Sequence, residues 1–497
     1  MPGRIPDMVC FSSIEISNPI INKKSVKTEV ILNKIDGEKS TFCIILKYEE
    51  NINAEFLPLL RLAFTMPLLN YGLFSKKFKL NFPISKTDHD ILNKLNIIFS
   101  RDIFVNKILR RRTDYVLHKY IPKQENLKSD DANSKAVVEP SKVYNDKVIS
   151  SDMDKNSCGI LSSGGKESLL TYGLLNEIGC KTYPFYVNES GGHWRTAIPA
   201  YKYHKKIDNK TQRVWTNIDR FYVFMLDNLK IIRPDHRKVW ADTYPIRLCI
   251  FPFYVFLLLP IFVEKKIGNL LIGSEFDDLR STTEYLGIKH YFGIYDQHQD
   301  YDILMNKWFS KRIPGLVQWS AVRNISGLIV ERILVKRYPN LAKYQRSCHS
   351  CHFEKDKIVP CGKCSKCIGV LLFLLANKAD PKIMNFKNED IASFRDRVDP
   401  SKLRLDEDEK NQSFYLIGNI PNIKPINHVE KIHINNTTCD LCFIPKEFRN
   451  NLLKIIKNYT NGFCKLKKEK WISIDESEIF NSPCIQKISR KKGKYGQ

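Results

Sequence analysis

Residues 158–179 of this 497-residue chain read CGILSSGGKESLLTYGLLNEIG. The apolar run that ends at Leu161 predicts a strand, and Glu167–Ile178 predicts a helix that a glycine ends. Between them lie Gly164 and Gly165, which allow the backbone to turn tightly and to approach a ligand closely. A helix N-terminus presents unpaired N–H groups and a partial positive charge, so the join between this strand and this helix is predicted to bind an anion.

The side chains of this loop suit a phosphate or pyrophosphate group. Ser163 and Ser168 add hydroxyl donors, and Lys166 adds a mobile cation. The loop is not a Walker A motif, because Lys166 is followed by Glu167 instead of Ser or Thr. An ordinary Gly-Gly turn before a helix is the alternative. The predicted nucleotide-binding residues are Ser163, Gly164, Gly165, Lys166, Glu167 and Ser168.

The segment SGGKES (163–168) resembles the PP-loop of the N-type ATP pyrophosphatases, whose pattern is Ser-Gly-Gly-x-Asp-Ser. Those enzymes cleave ATP between its α and β phosphates and adenylate an oxygen of their substrate. The resemblance implies ATP and Mg²⁺ as cofactors. Glu167 stands where the pattern has Asp; it keeps the charge and can bind Mg²⁺, although its extra methylene moves the carboxylate.

A dense cluster of cysteines lies in SCHSCH (347–352) and PCGKCSKC (360–367). Two overlapping Cys-x2-Cys steps bring Cys361, Cys364 and Cys367 onto one tight turn, and four thiolates suit a structural Zn²⁺ site. A redox pair and unligated thiols are the alternatives. We favour Cys348 as the fourth ligand; its competitors are His349, Cys351 and His352.

The composition is that of a folded, multidomain and basic protein. Lysine and arginine total 79 against 54 aspartate and glutamate, a formal net charge of +25. At about 100–200 residues per domain, the length predicts two to four domains. Plentiful aromatic and aliphatic residues exclude a disordered chain, and dilute Gly, Pro and Cys exclude a collagen-like or disulfide-stapled one.

The first residues, MPGRIPDMVCFSS, lack the charged and apolar segments of a secretory signal, which predicts a cytoplasmic protein. In a reducing compartment, clustered cysteines indicate metal binding or catalysis more often than disulfides. The most apolar stretch, Leu248–Val263, is shorter than the roughly 20 residues of a membrane span, and Pro252 and Pro260 interrupt it. It is predicted to be a buried helix, so no membrane partner is expected.

Composition and hydrophobic patterning divide the chain into four parts. The first contains the strand-like runs Glu29–Leu32 and Thr41–Tyr48 and a helix around His89–Phe99. The third alternates short apolar runs with amphipathic ones, which predicts an α/β fold with a mostly parallel, doubly wound sheet of PP-loop (HUP-like) type. The predicted parts are a small N-terminal α+β domain (1–122), a polar linker (123–157), a catalytic domain (158–384) with a zinc knuckle (348–367), and a C-terminal basic extension (385–497).

The C-terminal extension contains two basic runs, Lys465–Lys470 and Arg490–Lys494. A nucleic-acid-binding protein concentrates its charge on one face, whereas lysine is abundant throughout this chain. We therefore expect a solvated basic tail, with non-specific attraction of a nucleic acid or another polyanion as the alternative.

The SGG loop followed by the cysteine knuckle resembles QueC, the PP-loop enzyme that makes the nitrile of 7-cyano-7-deazaguanine, although QueC-like chains lack the outer parts of this one. Further segments lie in Gly159–Met384: VNESGGHW (187–194), VWTNIDR (214–220), YPIRLC (244–249), LLIGSEFDD (270–278) and HYFGIYDQ (290–297). With the loop and the knuckle they resemble the MurL family of UDP-N-acetylmuramoyl-L-alanyl-L-glutamate epimerases more closely.

This resemblance implies an ATP-dependent isomerase of peptidoglycan precursor synthesis. Such an enzyme adenylates the carboxylate of the terminal L-glutamate and releases pyrophosphate. The neutral acyl-adenylate then makes the Cα proton acidic enough to leave and return on the other face. The implied partner is a UDP-sugar peptide, and the implied cofactors are ATP, Mg²⁺ and Zn²⁺. The alternatives are a QueC-like or tRNA-modifying PP-loop enzyme acting on a nucleobase or tRNA, and a non-catalytic nucleotide-binding protein.

Candidate site residues follow the predicted strands, because an open α/β sheet presents its ligands at the carboxyl ends of strands. Asp277 and Asp278 could instead be an acidic pair at a helix N-terminus, and each candidate arginine could instead form a surface ion pair. His290, Tyr295 and Asp296 form a second polar group. The predicted roles are catalysis for Lys166, His193 and Asp278, magnesium binding for Glu167 and Asp277, and binding of substrate anions for Arg195, Arg247 and Arg280.

Overall fold

One sheet of eleven strands runs through the molecule, and most of its strand pairs are parallel. The structure of the chain is a computed structural model. Helices pack on the sheet, so the chain has the α/β class expected from its sequence. The structure describes residues 6–110, 115–239, 246–276, 282–403, 405–418, 423–434, 441–468 and 470–477.

The N-terminal region builds the outer half of this sheet. The runs predicted at Glu29–Leu32 and Thr41–Tyr48 and the helix predicted at His89–Phe99 are confirmed. The helix begins where Ser85 and Asp88 form a capping box. The elements are β1 (Phe11–Ile16), β2 (Ile20–Asn22), β3 (Ser25–Lys34), β4 (Lys39–Lys47), α1 (Leu57–Thr65), β5 (Lys77–Ser85), α2 (Lys86–Ile103) and β6 (Val137–Tyr144).

Strand β6 lies within residues 123–157, the segment predicted as a polar linker. It pairs in parallel with β5 at the edge of the sheet, so this segment contributes to the sheet. Its polar composition agrees with that place, because an edge strand exposes much of its length to water. The polar composition of residues 123–157 therefore reflects their exposure to solvent and does not indicate their secondary structure.

The central region follows the alternating order predicted for it. Its elements are β7 (Asp154–Leu161), α3 (Lys166–Glu177), β8 (Lys181–Asn188), α4 (Gly192–Ile207), β9 (Gln212–Thr216), α5 (Ile218–Asp227), α6 (Phe251–Glu264), β10 (Ile267–Leu271), β11 (Thr282–Tyr285), β12 (Ile288–Tyr291), α7 (Gln299–Arg312), β13 (Val317–Trp319), α8 (Gly327–Arg337), α9 (Pro339–Ala342), β14 (His352–Glu354), β15 (Lys357–Val359) and α10 (Ser365–Ala376).

The order of the parallel strands is β13-β10-β7-β8-β9. From β7 the chain moves to β8 and β9 on one side, and then crosses to β10 and β13 on the other side. The direction of winding therefore reverses between β7 and β10. In open α/β sheets the carboxyl ends of the two strands at such a point diverge into a crevice that binds ligands. The loop predicted to bind phosphate follows β7 and lies at this crevice.

Helix α6 is the apolar segment predicted to be a buried helix, and the prediction is confirmed. It packs so closely on the sheet that a Cβ on Gly159 of β7 would lie 2.2 Å from the Phe262 ring. Helices α3 and α8 belong to a second apolar cluster that includes Cys158 and Ile160 of the same strand. Within the described residues, no helix combines the length and apolarity needed to span a bilayer.

The C-terminal region adds a small three-stranded sheet, β16-β17-β18, and several short helices. The described residues of the basic run Lys465–Lys470 lie on β17, on β18 and at position 468, whereas residue 469 and Arg490–Lys494 lie outside the described residues. The elements are α11 (Asn388–Ala392), α12 (Phe394–Arg397), α13 (Glu407–Ile417), β16 (Ile432–Ile434), α14 (Lys446–Lys457), β17 (Phe463–Lys467) and β18 (Lys470–Ile474).

The two halves of the large sheet join where β4 pairs with β9 in antiparallel orientation. Only two residue pairs form this ladder, and the side chain of Asn217 extends it. The amide N–H of Ile45 donates to Asn217 Oδ1 (2.9 Å), and Asn217 Nδ2 donates to the carbonyl of Cys43 (2.9 Å). The Asn217 side chain therefore makes the two hydrogen bonds to β4 that a further residue of β9 would otherwise make.

We predict that Asn217→Ala destabilises the protein by about 2–6 kcal/mol, because it leaves two backbone groups without partners at about 1–3 kcal/mol each. The shift in the urea-unfolding midpoint measures the loss. Asn209→Ala, at an exposed position, is the control and should leave the midpoint unchanged. Equal midpoints for the two variants would contradict this role of Asn217.

Candidate functional site

The glycines after β7 shape the loop at the crevice. Gly164 has φ +77°, a conformation that favours glycine, and a Cβ there would lie 3.2 Å from the carbonyl oxygen of Thr196 and 3.3 Å from Ala197 Cα. Gly165 has extended backbone angles and is the N-cap residue of α3. The loop therefore packs against α4 and then opens directly into the first turn of α3.

The first turn of α3 keeps its amide groups available. Within the described part of the chain, the N–H groups of Lys166, Glu167 and Ser168 donate to no protein acceptor. The Ser163 hydroxyl accepts only a long bond of 3.4 Å from the Gly165 N–H, and the Ser168 hydroxyl donates to the Gly165 carbonyl (3.1 Å). Unpaired amides at the end of a 12-residue helix attract an anion.

Lys166 lies between two carboxylates. Its Nζ donates to Glu275 Oε1 at 2.8 Å and also bonds to Glu167. Burial alone would lower the pKa of Lys166, but these two carboxylates outweigh it and raise that pKa well above its ordinary value. Glu275 belongs to the loop after β10, so the ion pair connects the two loops that border the crevice.

Glu275 is not among the site residues predicted from the sequence, although it lies in the segment LLIGSEFDD, two residues before Asp277. The loops approach closely at this point, since a Cβ on Gly273 would lie 2.7 Å from Glu167 Cβ. Three predicted site residues, Asp277, Asp278 and Arg280, lie outside the described residues.

A third carboxyl group, Glu331 on α8, is buried behind the loop. Gln345 Nε2 donates to one of its oxygens (2.9 Å), and the other oxygen has no hydrogen-bond partner among the described residues. Burial raises the pKa of Glu331 to about 7, and the nearby charge of Lys166 opposes that rise. No local sequence pattern marks Glu331, because only packing brings it to this place.

Arg247, predicted to bind substrate anions, is part of a buried ionic group at the ends of β8 and β9. Its guanidinium donates to Asp219 Oδ1 at 3.0 Å and to Glu189 Oε1 at 3.4 Å. All three side chains are at most 9% exposed. Burial raises the pKa of Glu189, and Arg247 opposes this effect. Arg247 thus already pairs with two protein carboxylates.

His193 and Arg195 lie in the first turn of α4 and face the cysteine knuckle. The ring centroids of His193 and His349 are 4.1 Å apart. The exposed Arg195 side chain donates to the carbonyl of Cys351 (3.1 Å). Burial and then the charges of His349, Arg247 and Lys366 lower the pKa of His193 to about 3. A histidine with that pKa is neutral at pH 7 and a weak base, so it is better suited to hydrogen bonding than to proton abstraction.

The four predicted zinc ligands come together. The sulfur atoms of Cys348, Cys361, Cys364 and Cys367 all lie within 4.8 Å of one another. The Cys348–Cys364 sulfurs are 3.5 Å apart and the Cys361–Cys367 sulfurs 3.8 Å apart. A tetrahedral Zn²⁺ with bonds of about 2.3 Å separates its sulfurs by about 3.8 Å, so this cluster could hold a zinc ion.

The competing fourth ligands lie elsewhere. Cys351 is buried outside the cluster, His349 contacts His193, and His352 pairs with Glu354 at the surface (2.9 Å). Gly362 makes the bend between the ligands at φ +70°, where a Cβ would lie 2.1 Å from the Asp390 carboxyl group. The choice of Cys348 from the sequence agrees with this geometry.

The second polar group has a structural role. Asp296 accepts hydrogen bonds from the backbone N–H groups of Ile250 (2.8 Å) and Phe251 (2.9 Å) at the start of α6. The ring of Tyr295 packs 4.5 Å from that of Tyr291, and His290 bonds to a backbone carbonyl. Asp296 therefore stabilises the beginning of the buried helix.

Aromatic side chains of the C-terminal region hold the loop after β10. The ring of His433 stacks on Phe276 at 4.0 Å, and Trp471 packs edge-on to Phe276 at 5.5 Å. The His433 N–H donates to the Asn324 carbonyl (2.8 Å), and Asn324 Nδ2 donates to the carbonyl of His433 (2.7 Å), so these bonds fix the contact. Phe276 follows Glu275 directly, so the C-terminal extension supports the carboxylate that pairs with Lys166.

Comparisons of the chain with protein-family models, with curated proteins and with solved structures give no match. The chemistry of the site therefore rests on its geometry. It offers helix amides for an anion, two carboxylates that share one cation, and a thiolate cluster that could hold zinc.

We predict that the wild-type protein binds about one zinc ion per chain. Cys364→Ser should lose this zinc and should have a lower thermal midpoint, because a structural site requires all four thiolates. Metal analysis and the thermal midpoint measure both effects. Cys351→Ser is the matched control, because this buried thiol lies outside the cluster and the variant should keep its zinc. Metal-free wild-type protein purified without chelator would contradict the site.

Glu331 should make stability depend on pH. Its folded pKa of about 7 lies above the ordinary 4.5, so its contribution is fully present below about pH 4.5 and is lost as the pH rises through 7. Glu331 should lower the free energy of unfolding of the wild type by about 3 kcal/mol as the pH rises from about 5 to about 8. We expect this fall to be smaller by the same amount in Glu331→Gln. Urea unfolding at the two pH values tests this, and an unchanged difference would contradict it.

Proposed function

We propose that this chain is an ATP-dependent PP-loop enzyme that adenylates a substrate carboxylate and releases pyrophosphate. Its acceptor, we infer, is the terminal L-glutamate of UDP-N-acetylmuramoyl-L-alanyl-L-glutamate, which it epimerises to D-glutamate. The observation that carries the proposal is the position of the Ser163–Ser168 loop. It lies where the sheet reverses its winding, and the first amides of α3 donate to no acceptor in the described chain.

The loop suits the β and γ phosphates of ATP. Backbone amides and a helix N-terminus stabilise phosphate oxygens without requiring a side chain at each one. Glu167 and Glu275 converge on the Lys166 ammonium, so their oxygens already share a cation. These two carboxylates would hold Mg²⁺ when ATP is present, and the metal would neutralise phosphate charge. Lys166 would then be released to contact the phosphates itself.

The proposed reaction begins with attack of a carboxylate oxygen of the acceptor on the α-phosphorus of ATP. The bond between the α-phosphorus and the bridging oxygen to the β-phosphorus breaks, and pyrophosphate leaves. The acyl-adenylate that forms no longer carries the negative charge that opposed loss of the Cα proton. Proton removal and return on the opposite face invert the centre, and water then cleaves the adenylate to give AMP and the carboxylate.

The identity of the acceptor is supported by the segments that resemble the MurL epimerases. Several of them surround the crevice: 187–194 leads from β8 into α4, 214–220 leads from β9 into α5, and 270–276 follows β10. They contribute Glu189, His193 and Asp219, which gather at the same edge of the sheet as the loop.

We predict that Lys166→Ala reduces pyrophosphate release by about 10²-fold or more, because it removes the cation aimed at the loop and leaves two carboxylates facing the phosphates. A coupled pyrophosphate assay measures the rate, and circular dichroism monitors folding. Lys202→Ala, an exposed lysine on α4, is the matched control and should retain full activity. Full activity of Lys166→Ala would refute the proposed role of the loop.

The acceptor is tested by supplying ATP and Mg²⁺ with one candidate at a time. Release of pyrophosphate that requires the UDP-muramoyl dipeptide, with deuterium incorporated at the glutamate Cα in D₂O, supports the epimerase. Release that requires tRNA or a deazaguanine acid overturns the epimerase and supports a nucleobase or tRNA enzyme. Tight ATP binding without release in any mixture overturns both.

A further inference from the structure

A chain of buried hydrogen bonds leads into the phosphate loop. The Ser168 hydroxyl donates to the Gly165 carbonyl (3.1 Å) and accepts from the Ser162 hydroxyl (3.2 Å). Burial raises the pKa of Tyr186, and a hydrogen bond with Ser162 opposes that rise. The Tyr186 hydroxyl also bonds to His204 Nδ1 at 2.7 Å. These four side chains, each at most 8% exposed, form a hydroxyl relay that ends in the loop.

The backbone places the members of the relay next to one another. Ser162 directly follows β7, and its N–H donates to the carbonyl of Phe185 (2.8 Å), the residue before Tyr186 on β8. His204 lies four residues after Ala200 on α4, so the two share one face of that helix. The loop packs against this face, since a Cβ on its first glycine would lie 3.3 Å from the Ala200 Cβ. The relay therefore connects the loop with the strand and the helix beside it.

Only one direction of hydrogen bonding satisfies the whole relay. The Gly165 carbonyl can only accept, so it takes the single hydroxyl proton of Ser168. Ser168 must then accept from Ser162, which uses the single proton of the Ser162 hydroxyl. Ser162 in turn accepts from the Tyr186 hydroxyl, and the Tyr186 oxygen accepts from His204 Nδ1. Each group thus donates its proton toward the loop.

The surroundings of His204 agree with this direction. Its ring centroid lies 4.2 Å from that of Tyr172 and 5.6 Å from that of Tyr203. Burial lowers the pKa of His204 to about 4, against the opposing charge of Asp208, so the ring is neutral at pH 7 and carries one N–H. With that proton on Nδ1, Nε2 has none to donate, and Nε2 has no hydrogen-bond partner among the described residues. The proton therefore lies on the nitrogen that faces Tyr186.

The relay makes Ser168 a donor within the loop. Its oxygen already accepts a hydrogen bond from Ser162, so its proton is what it offers to a ligand. That proton bonds to the Gly165 carbonyl in this structure, and a charged phosphate oxygen is a stronger acceptor than a carbonyl. Ser168 lies in the first turn of α3, among the amides that donate to no acceptor in the described chain. Its hydroxyl is therefore placed to add to their binding of one phosphate.

We propose that Tyr186 and His204 are positioning residues of the phosphate loop: acting through Ser162, they direct the Ser168 hydroxyl toward a phosphate oxygen of ATP. The identity of this ligand rests on the proposed function. Neither Tyr186 nor His204 contacts the phosphate itself. In a buried chain of hydrogen bonds each bond polarises the next, so the relay also strengthens its last donor.

Isothermal titration of the full chain with ATP and Mg²⁺, without an acceptor, tests the relay. We expect Ser168→Ala to raise the Kd of ATP about tenfold, and Tyr186→Phe, which keeps the ring, to raise it about threefold to tenfold. Tyr186→Phe should add nothing in the Ser168→Ala background, because it acts only through that hydroxyl. Ser162→Ala is a second, smaller truncation with the same expected behaviour. Tyr203→Phe is the matched control and should bind ATP like wild type, because its ring also packs against His204 while its hydroxyl lies outside the relay.

A Kd that rises on loss of the Tyr186 or Ser162 hydroxyl, but only when Ser168 is present, supports the proposal. Equal effects with and without Ser168 indicate a merely structural role and overturn it, and so does an unchanged Kd in the variants that circular dichroism shows to be folded. The pyrophosphate assay separates this result from the proposed function. ATP binding without pyrophosphate release with any acceptor refutes that function, and the Kd values alone then decide on the relay. Failure of wild type to bind ATP overturns both.

Discussion

Lys166 bonds to Glu167 at the start of α3 and to Glu275 across the crevice, and this shared cation couples the two loops on which the site depends. The loops follow β7 and β10, the two neighbouring strands between which the sheet reverses its winding. Without the lysine, the two carboxylates would face each other at short range in a partly buried place, where like charges repel strongly. The ammonium therefore stabilises one arrangement of the two loops.

Each wall of the crevice is supported by a different part of the chain. Helix α4 packs against Gly164 on one side, and the aromatic contact of His433 and Trp471 with Phe276 holds the loop after β10 on the other. The C-terminal extension thus contributes to the site although it carries no recognisable motif. The N-terminal half of the sheet is joined through Asn217 and extends the sheet away from the crevice.

The knuckle and the loop after β7 lie next to each other. The backbone N–H of Arg346 donates to the carbonyl of Gly164 (3.1 Å), so the segment that leads into the knuckle bonds directly to the phosphate loop. A metal that fixes the knuckle would consequently also fix one side of the loop. This coupling gives a physical reason for a zinc-sized thiolate cluster next to a loop that suits phosphate.

Local sequence determined the features that depend on neighbouring residues. The strand, the glycines and the helix of the loop, the buried apolar helix and the four cysteines were all predicted, because turn geometry, hydrophobic periodicity and ligand spacing act over short distances. Only the tertiary structure decided which distant side chains meet. The pairing of Lys166 with Glu275, the engagement of Arg247 by two carboxylates and the contact of His193 with His349 depend on strand order and helix packing. Spacing in one sequence does not encode those distances, because the crossover from β9 to β10 places residues far apart in the chain on the same edge of the sheet.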